Sequence, residues 1–249
     1  MSQQVRVAVF RPDDERMADA VELLDSLGAT AVADPMLEVR PTGEAPHTDN
    51  ADYVVLTSKT GVELAAEAGW EPGDAVVVAI GDSTADALRR AGYRVDRVPE
   101  EFTSSGLVEL LADEVSGKRV EVARSDHGSP VLTDGLREAG ADVTETVLYR
   151  LVKPEGAGES AEMAAAGDLE AVLFTSSLTV EHFLDAAEER GVREAAIEGL
   201  NDAVIGTIGE PTKETAESYG ITVDVVPDVA DFEELACAVV ETAAPTYHE

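Results

Sequence analysis

The side chains able to do chemistry in this sequence are mostly hydroxyls, and they recur at one kind of place. Thr57-Ser58, Ser83-Thr84, Thr103-Ser104-Ser105, Ser125, Thr175-Ser176-Ser177, Thr207 and Thr212 each follow a short β-branched run or open the helical run after it. In open α/β sheets, ligands bind beyond the carboxyl ends of the strands. Helix starts there add free backbone N–H groups and the positive end of the helix dipole, so the set suits carboxylates or phosphates without many lysines. Any one of these residues is accounted for as an N-cap; the recurrence of the set is what points to an anionic ligand. Arg11 and Arg124 also follow strands, where a guanidinium grips an anion or pairs with a surface carboxylate. Tyr149 lies in an extended stretch, its ring suited to packing and its hydroxyl left as a polar handle.

Other chemistries find little support. His47, His127, His182 and His248 have no metal-ligand spacing, and Cys237 is the single cysteine, so neither a metal site nor an internal disulfide is expected. His127, within Arg124-Ser125-Asp126-His127-Gly128, is a secondary acid–base candidate. Gly81-Asp82-Ser83-Thr84 turns into a helix but lacks the G-x-G-x-x-G fingerprint, and there is no Walker A motif.

What must position these residues is a chain of short apolar runs alternating with amphipathic helical ones, the pattern of parallel α/β architecture. Strands are predicted at 5–10, 53–57, 76–80, 94–98, 119–123, 171–175, 203–207 and 222–226, and a helix over 13–27 closed by Gly28. The pattern repeats. Gly81 to Thr84, Gly92, Val95-Asp96, Val98-Pro99 and Leu107 reappear 128 residues later as Gly209 to Thr212, Gly220, Val223-Asp224, Val226-Pro227 and Leu235. A shorter unit, Val7 to Arg11, reappears as Val120 to Arg124. The order is short, long, short, long, and two sheets are needed. Either the middle pair forms one domain and the outer pair the other, with crossings near 36–42 and 147–153, or the domains are tandem, 1–115 and 118–249. The residues alone leave both open.

The chain has 249 residues, which suits two domains, and 44% hydrophobic residues, enough for real cores. Eighteen basic residues against 51 acidic ones give −33, spread along the chain. The strong apolar periodicity argues against disorder. Such self-repulsion destabilises a fold at low ionic strength, whereas at molar salt the screening length falls to roughly 3 Å. The chain reads as adapted to a salty cytoplasm. No basic patch exists to meet nucleic acid, no apolar run is long enough to span a bilayer, and the start, MSQQVRVAVF, lacks a signal-peptide pattern. A cytoplasmic monomer with a small-molecule ligand is expected.

Taken in order, several segments resemble the uroporphyrinogen-III synthases over essentially the whole chain. They are Val9-Phe10-Arg11-Pro12, Leu56-Thr57-Ser58, Ala79-Ile80-Gly81-Asp82-Ser83-Thr84, and Ala123-Arg124-Ser125 leading to Gly135-Leu136 and Gly140-Ala141. Val147-Leu148-Tyr149-Arg150, Phe174-Thr175-Ser176 and Ile208-Gly209-Glu210-Pro211-Thr212 complete them. The resemblance implies two parallel-sheet α/β domains, flavodoxin-like halves joined by a two-stranded β linker. The first would be discontinuous, 1–38 and 150–249, and the second would be 39–149. It implies cyclisation of hydroxymethylbilane, an octacarboxylate, to uroporphyrinogen III, with loss of water, inversion of ring D and no cofactor. It also implies Tyr149 as proton donor to the departing hydroxyl. Arg11, Thr57, Ser58, Ser83, Thr84, Ser104, Ser125, Thr175, Ser176, Thr207 and Thr212 would then be substrate contacts. Two departures stand out: Pro211 where the other repeat has Ser83, and Lys59-Thr60 in place of the usual Pro-Arg-like pair. A two-domain binding protein for a small anion, or a phosphosugar-binding or isomerase-type protein, would share this design.

Overall fold

The computed structural model describes residues 5–244; His248 lies outside them. In chain order the elements are β1 (Arg6–Val9), α1 (Glu15–Ser26), β2 (Thr30–Ala33), β3 (Glu38–Pro41), β4 (Tyr53–Leu56), α2 (Lys59–Glu67), β5 (Val76–Ala79) and α3 (Asp82–Arg90). Next come α4 (Ser104–Leu111), β6 (Arg119–Ser125), α5 (Pro130–Glu138), β7 (Asp142–Val152), α6 (Glu159–Ala165) and β8 (Ala171–Phe174). The chain continues with α7 (Ser177–Glu189), α8 (Arg193–Asp202), β9 (Val204–Thr207), α9 (Glu210–Ser218) and α10 (Phe232–Ala243). They divide into two compact units. One takes the chain up to Glu38 and again from Val152; the other is Val39–Leu151.

The first unit holds a sheet in the order β2-β1-β8-β9, parallel throughout. Its strands are apolar on both faces, as parallel strands covered by helices must be. Val7, Val9 and Leu173 pack with Leu24 and Leu235 on one side; Ala8, Phe10 and Phe174 pack with Phe183 and Leu200 on the other. The second unit's sheet runs β3-β7-β6-β4-β5. Val54 and Leu56 face Val62 and Leu88, while Tyr53 and Val55 face Leu107 and Leu136. The two sheets share one plan with the chain entering at different points. The short unit β1-α1-β2 corresponds to β6-α5-β7, and β8 and β9 correspond to β4 and β5.

Three sequence expectations change. The predicted strands at 94–98 and 222–226 are single bridges, Val78 to Arg97 and Gly206 to Val225. The reason is in the repeated Val-Asp: the Asp96 and Asp224 carboxylates themselves accept the Val77 and Ile205 N–H groups, each at 2.8 Å, where a longer ladder would bind. β2 was not predicted, because a four-residue Thr-Ala-Val-Ala run carries little period-2 signal. Finally, the crossing segments pair with one another as expected, but as part of a sheet: β3 and β7 are neighbouring strands at the edge of the second unit's sheet.

The first unit's two pieces of chain are tied by Asp34, which is 5% exposed. Its carboxylate accepts the Gly158 N–H (3.0 and 3.1 Å), the Ser160 N–H (2.9 Å) and the Ser160 hydroxyl. Gly158 caps α6 at φ 110°, where a side chain is strained and would meet Ala186 Cβ at 2.6 Å. Asp34→Ala should strand these donors and lower stability by about 3 kcal/mol, roughly 6–12 °C in Tm by calorimetry. Asp34→Asn, which keeps one acceptor oxygen, should lose about half of that. Equal melting of all three proteins would show the carboxylate to be dispensable.

Candidate active site

The second unit carries a recess at the carboxyl ends of β4 and β6, the switch point where the chain direction across the sheet reverses. It is lined by Thr57, Ser58, Ile80, Ser104, Arg124, Ser125, Gly128, Ser129, Leu132 and Tyr149. Its volume is about 210 Å³, the space of roughly seven waters at about 30 Å³ each.

Local chemistry explains why hydroxyls gather here. Ser58 is the N-cap of α2 and accepts the Gly61 N–H at 3.0 Å; Thr103 caps α4 for Gly106 at 3.0 Å; Ser129 caps α5 for Val131 at 3.3 Å. Tyr149 arrives from β7 by a different device. Along β6 and β7 the register runs Arg124 to Val147 and then Ser125 to Tyr149, so Leu148 is an extra residue. A bulge of this kind re-aims the side chains beyond it. Leu148 and Tyr149, adjacent in sequence, consequently pack in the same cluster with Val62 of α2. The Tyr149 ring is buried, 7% exposed, and its hydroxyl lies 3.0 Å from Ser58 Oγ.

Arg124 holds the bulged corner. Buried at 6% exposure, it pairs with Glu145 on β7 and donates to the Ser129 carbonyl at 2.5 Å, while its Nε has no partner among the described residues. Gly128 lies against its guanidinium so closely that a β-carbon there would sit 2.6 Å from Nε. Next to it, Asp126 accepts the Leu151 N–H at 3.0 Å and His127 Nδ1 lies 2.7 Å away. Burial pushes the Asp126 carboxyl up, but these bonds outweigh it and hold the group below its ordinary value. His127 is not among the residues lining the recess.

Of the residues singled out from sequence, Thr57, Ser58, Ser104, Ser125 and Tyr149 therefore meet at one place. Ser83 is exposed on α3, outside that lining. Thr84 is 1% exposed, so its hydroxyl is not offered to a ligand. In the first unit Thr207 and Thr212 are likewise inside, at 0% and 4%. There Thr175 donates to the Phe10 carbonyl at 3.1 Å, and Ser176 caps α7. Arg11 stacks on Phe232, 4.0 Å from the ring centroid, and burial with the Arg16 charge holds its guanidinium below the ordinary value. Arg124, weighed equally with Arg11 in the sequence, lines the recess together with Gly128 and Ser129, which sequence reasoning missed; the Ser-Pro start of α5 was the available signal for Ser129. Among the described residues no group of three or more His, Cys, Asp or Glu could hold a metal ion.

The profile of the family described as uroporphyrinogen-III synthase HemD matches residues 18–237. A provisionally named uroporphyrinogen-III synthase of Methanothermobacter thermautotrophicus is 36% identical over 231 residues, 87% of this chain and 90% of that protein. The uroporphyrinogen-III synthase of Synechococcus elongatus is 28% identical over 239 residues, 90% of each chain. Among solved structures, a mutant uroporphyrinogen III synthase of Thermus thermophilus aligns over 96% of this chain and 98% of its own, with TM-score 0.67 and 22% identity. The uroporphyrinogen-III synthetase of Helicobacter pylori aligns over 97% and 99%, with TM-score 0.62 and 15% identity. These two share the two-domain α/β fold.

Proposed function

The chain belongs to the uroporphyrinogen-III synthase HemD family, whose enzyme is a cyclising lyase, and from that premise we propose how its own residues serve the reaction. The substrate is hydroxymethylbilane, a linear tetrapyrrole octacarboxylate, and the product is uroporphyrinogen III. The observation that carries the reading is the Tyr149 hydroxyl in a recess walled by hydroxyls, helix starts and Arg124.

Tyr149 Oη gives its proton to the terminal hydroxyl as the C–O bond breaks. The bonding pair leaves with the oxygen as water, the pyrrole nitrogen lone pair fills the gap, and a cationic azafulvene faces the tyrosinate. Attack from the substituted carbon of ring D forms a spiro intermediate, which fragments and recloses with ring D turned over. The proton shed at final closure returns to the tyrosinate. Nothing is oxidised or reduced, so the steps need no electron carrier. The competing closure without inversion is spontaneous, so the work of the protein is largely orientation. Thr57, Ser104 and Ser125 in the recess, and Arg11, Thr175 and Ser176 on the other unit, are the proposed contacts to the acid arms. Ser83, exposed at the start of α3, is retained for an arm reaching beyond the recess.

The −33 net charge, spread over the chain, supports a salty cytoplasm as the working medium, with a monomer acting on this small molecule alone. Purified protein given freshly made hydroxymethylbilane in molar KCl should yield the inverted isomer. Between about 10 mM and molar KCl the screening length shortens from ~30 Å to ~3 Å. The Tm should then rise by roughly 10 °C, the worth of ~3–4 kcal/mol of relieved repulsion in a chain of this size. Only uncatalysed isomer as product would reject the assignment, and a flat Tm would reject the halophilic reading alone.

A further inference from the structure

Ser58 Oγ already accepts the Gly61 N–H as the cap of α2, which leaves it one lone pair and one proton, and the Tyr149 hydroxyl lies 3.0 Å away. The first unit has the same cap without the pair. Ser176 closes a full capping box: it accepts the Thr179 N–H at 3.2 Å, and Thr179 Oγ1 accepts the Ser176 N–H at 3.2 Å. Three residues after Ser58 stands Gly61 instead. A β-carbon there would meet Ser58 Oγ at 3.0 Å, Leu148 Cδ1 at 3.2 Å and Tyr149 Cε1 at 3.9 Å, so the room a threonine would need is taken by β7. The tyrosine also belongs to this unit alone. In the first unit Pro12 pairs with Leu37 where in the second Ser125 pairs with Tyr149, so the apolar Leu37 holds the place of the tyrosine. Both departures from the internal repeat converge on Ser58 Oγ.

We infer that Ser58 is a positioning residue for Tyr149 and not a ligand of a substrate arm: at rest the Tyr149 hydroxyl donates to Ser58 Oγ, and with substrate in place the pair turns over, Ser58 donating to Tyr149 Oη and freeing the phenolic proton for the departing hydroxyl. The inference rests on Tyr149 being the proton donor. The chain from the α2 N–H through Ser58 to Tyr149 then runs in one direction, each bond polarising the next. As the phenol yields its proton, the Ser58 bond becomes charge-assisted, so it strengthens in the transition state and acts on kcat.

Steady-state kinetics on the full chain with hydroxymethylbilane test this with Ser58→Ala, Ser58→Gly, Ser58→Thr, Tyr149→Phe and the Ser58→Ala/Tyr149→Phe double variant. Ser58→Ala should lower kcat about tenfold with KM changed less than about twofold. Ser58→Gly, which keeps an acceptable helix cap, should match it, and Ser58→Thr should restore turnover. The double variant should be no slower than Tyr149→Phe, since the two act as one unit. A raised KM at unchanged kcat would make Ser58 an arm ligand, and losses that multiply in the double variant would make the residues independent; either overturns the inference. Near-normal turnover in Tyr149→Phe removes the proton-donor reading itself, and with it any role of Ser58 through that proton.

Discussion

Turnover of Tyr149→Phe should fall about a hundredfold or more, the usual worth of a positioned general acid. That factor corresponds to about 2.7 kcal/mol of barrier. The substitution removes one hydroxyl and leaves the ring, which is packed with Leu148 and Val62, so Tm should change little. Ser58 keeps its capping bond to Gly61 and loses only the bond to the phenol. Product formed by the variant should still be the inverted isomer, because ring orientation is assigned to the arm contacts and not to this proton. Rapid-quench turnover with isomer separation reads both. Loss of inversion at near-normal turnover would instead make Tyr149 a residue that orients ring D.

A fragment of residues 39–151 should fold alone with cooperative unfolding, whereas a fragment of residues 1–115 should not fold. The first contains every strand of its sheet, and its ends are carried by β3 and β7, which pair with each other. The second contains β1 and β2 without β8, and β3, β4 and β5 without the β6 and β7 that lie between β3 and β4. Val55 and Tyr53 would then face no Val120, Val122 or Leu136, leaving most of a core uncovered. Chemical denaturation of the two fragments in molar KCl, followed by circular dichroism, decides the matter. A cooperative transition in 1–115 with none in 39–151 would favour independent tandem halves.

Much of this protein is legible in its residue pattern. The runs Val-Val-Leu and Ala-Val-Leu-Phe announce buried parallel strands, because both faces are covered and no alternation survives. Ser58, Thr103 and Ser176 announce helix starts, because a hydroxyl satisfies N–H groups the helix leaves open. The 128-residue repeat announces that β5 and β9 belong to equivalent places. These are local matters, set by side-chain period and by hydrogen bonds within a few residues. Which strand lies beside which is a different kind of fact. β1 pairs with β8 across more than half the chain, and nothing in either strand distinguishes that neighbour from β4. The choice falls to complementary packing of whole helical layers around Phe10, Phe174 and Phe183. The face of Tyr149 was equally hidden. Plain alternation along β7 would set it opposite Leu148; one extra residue, held by Arg124 on Glu145 and Ser129, puts both on the side of Ser58. A bulge costs a ladder position and is stable only where contacts from distant segments hold it, so it exists at the level of the assembled sheet and not of the strand.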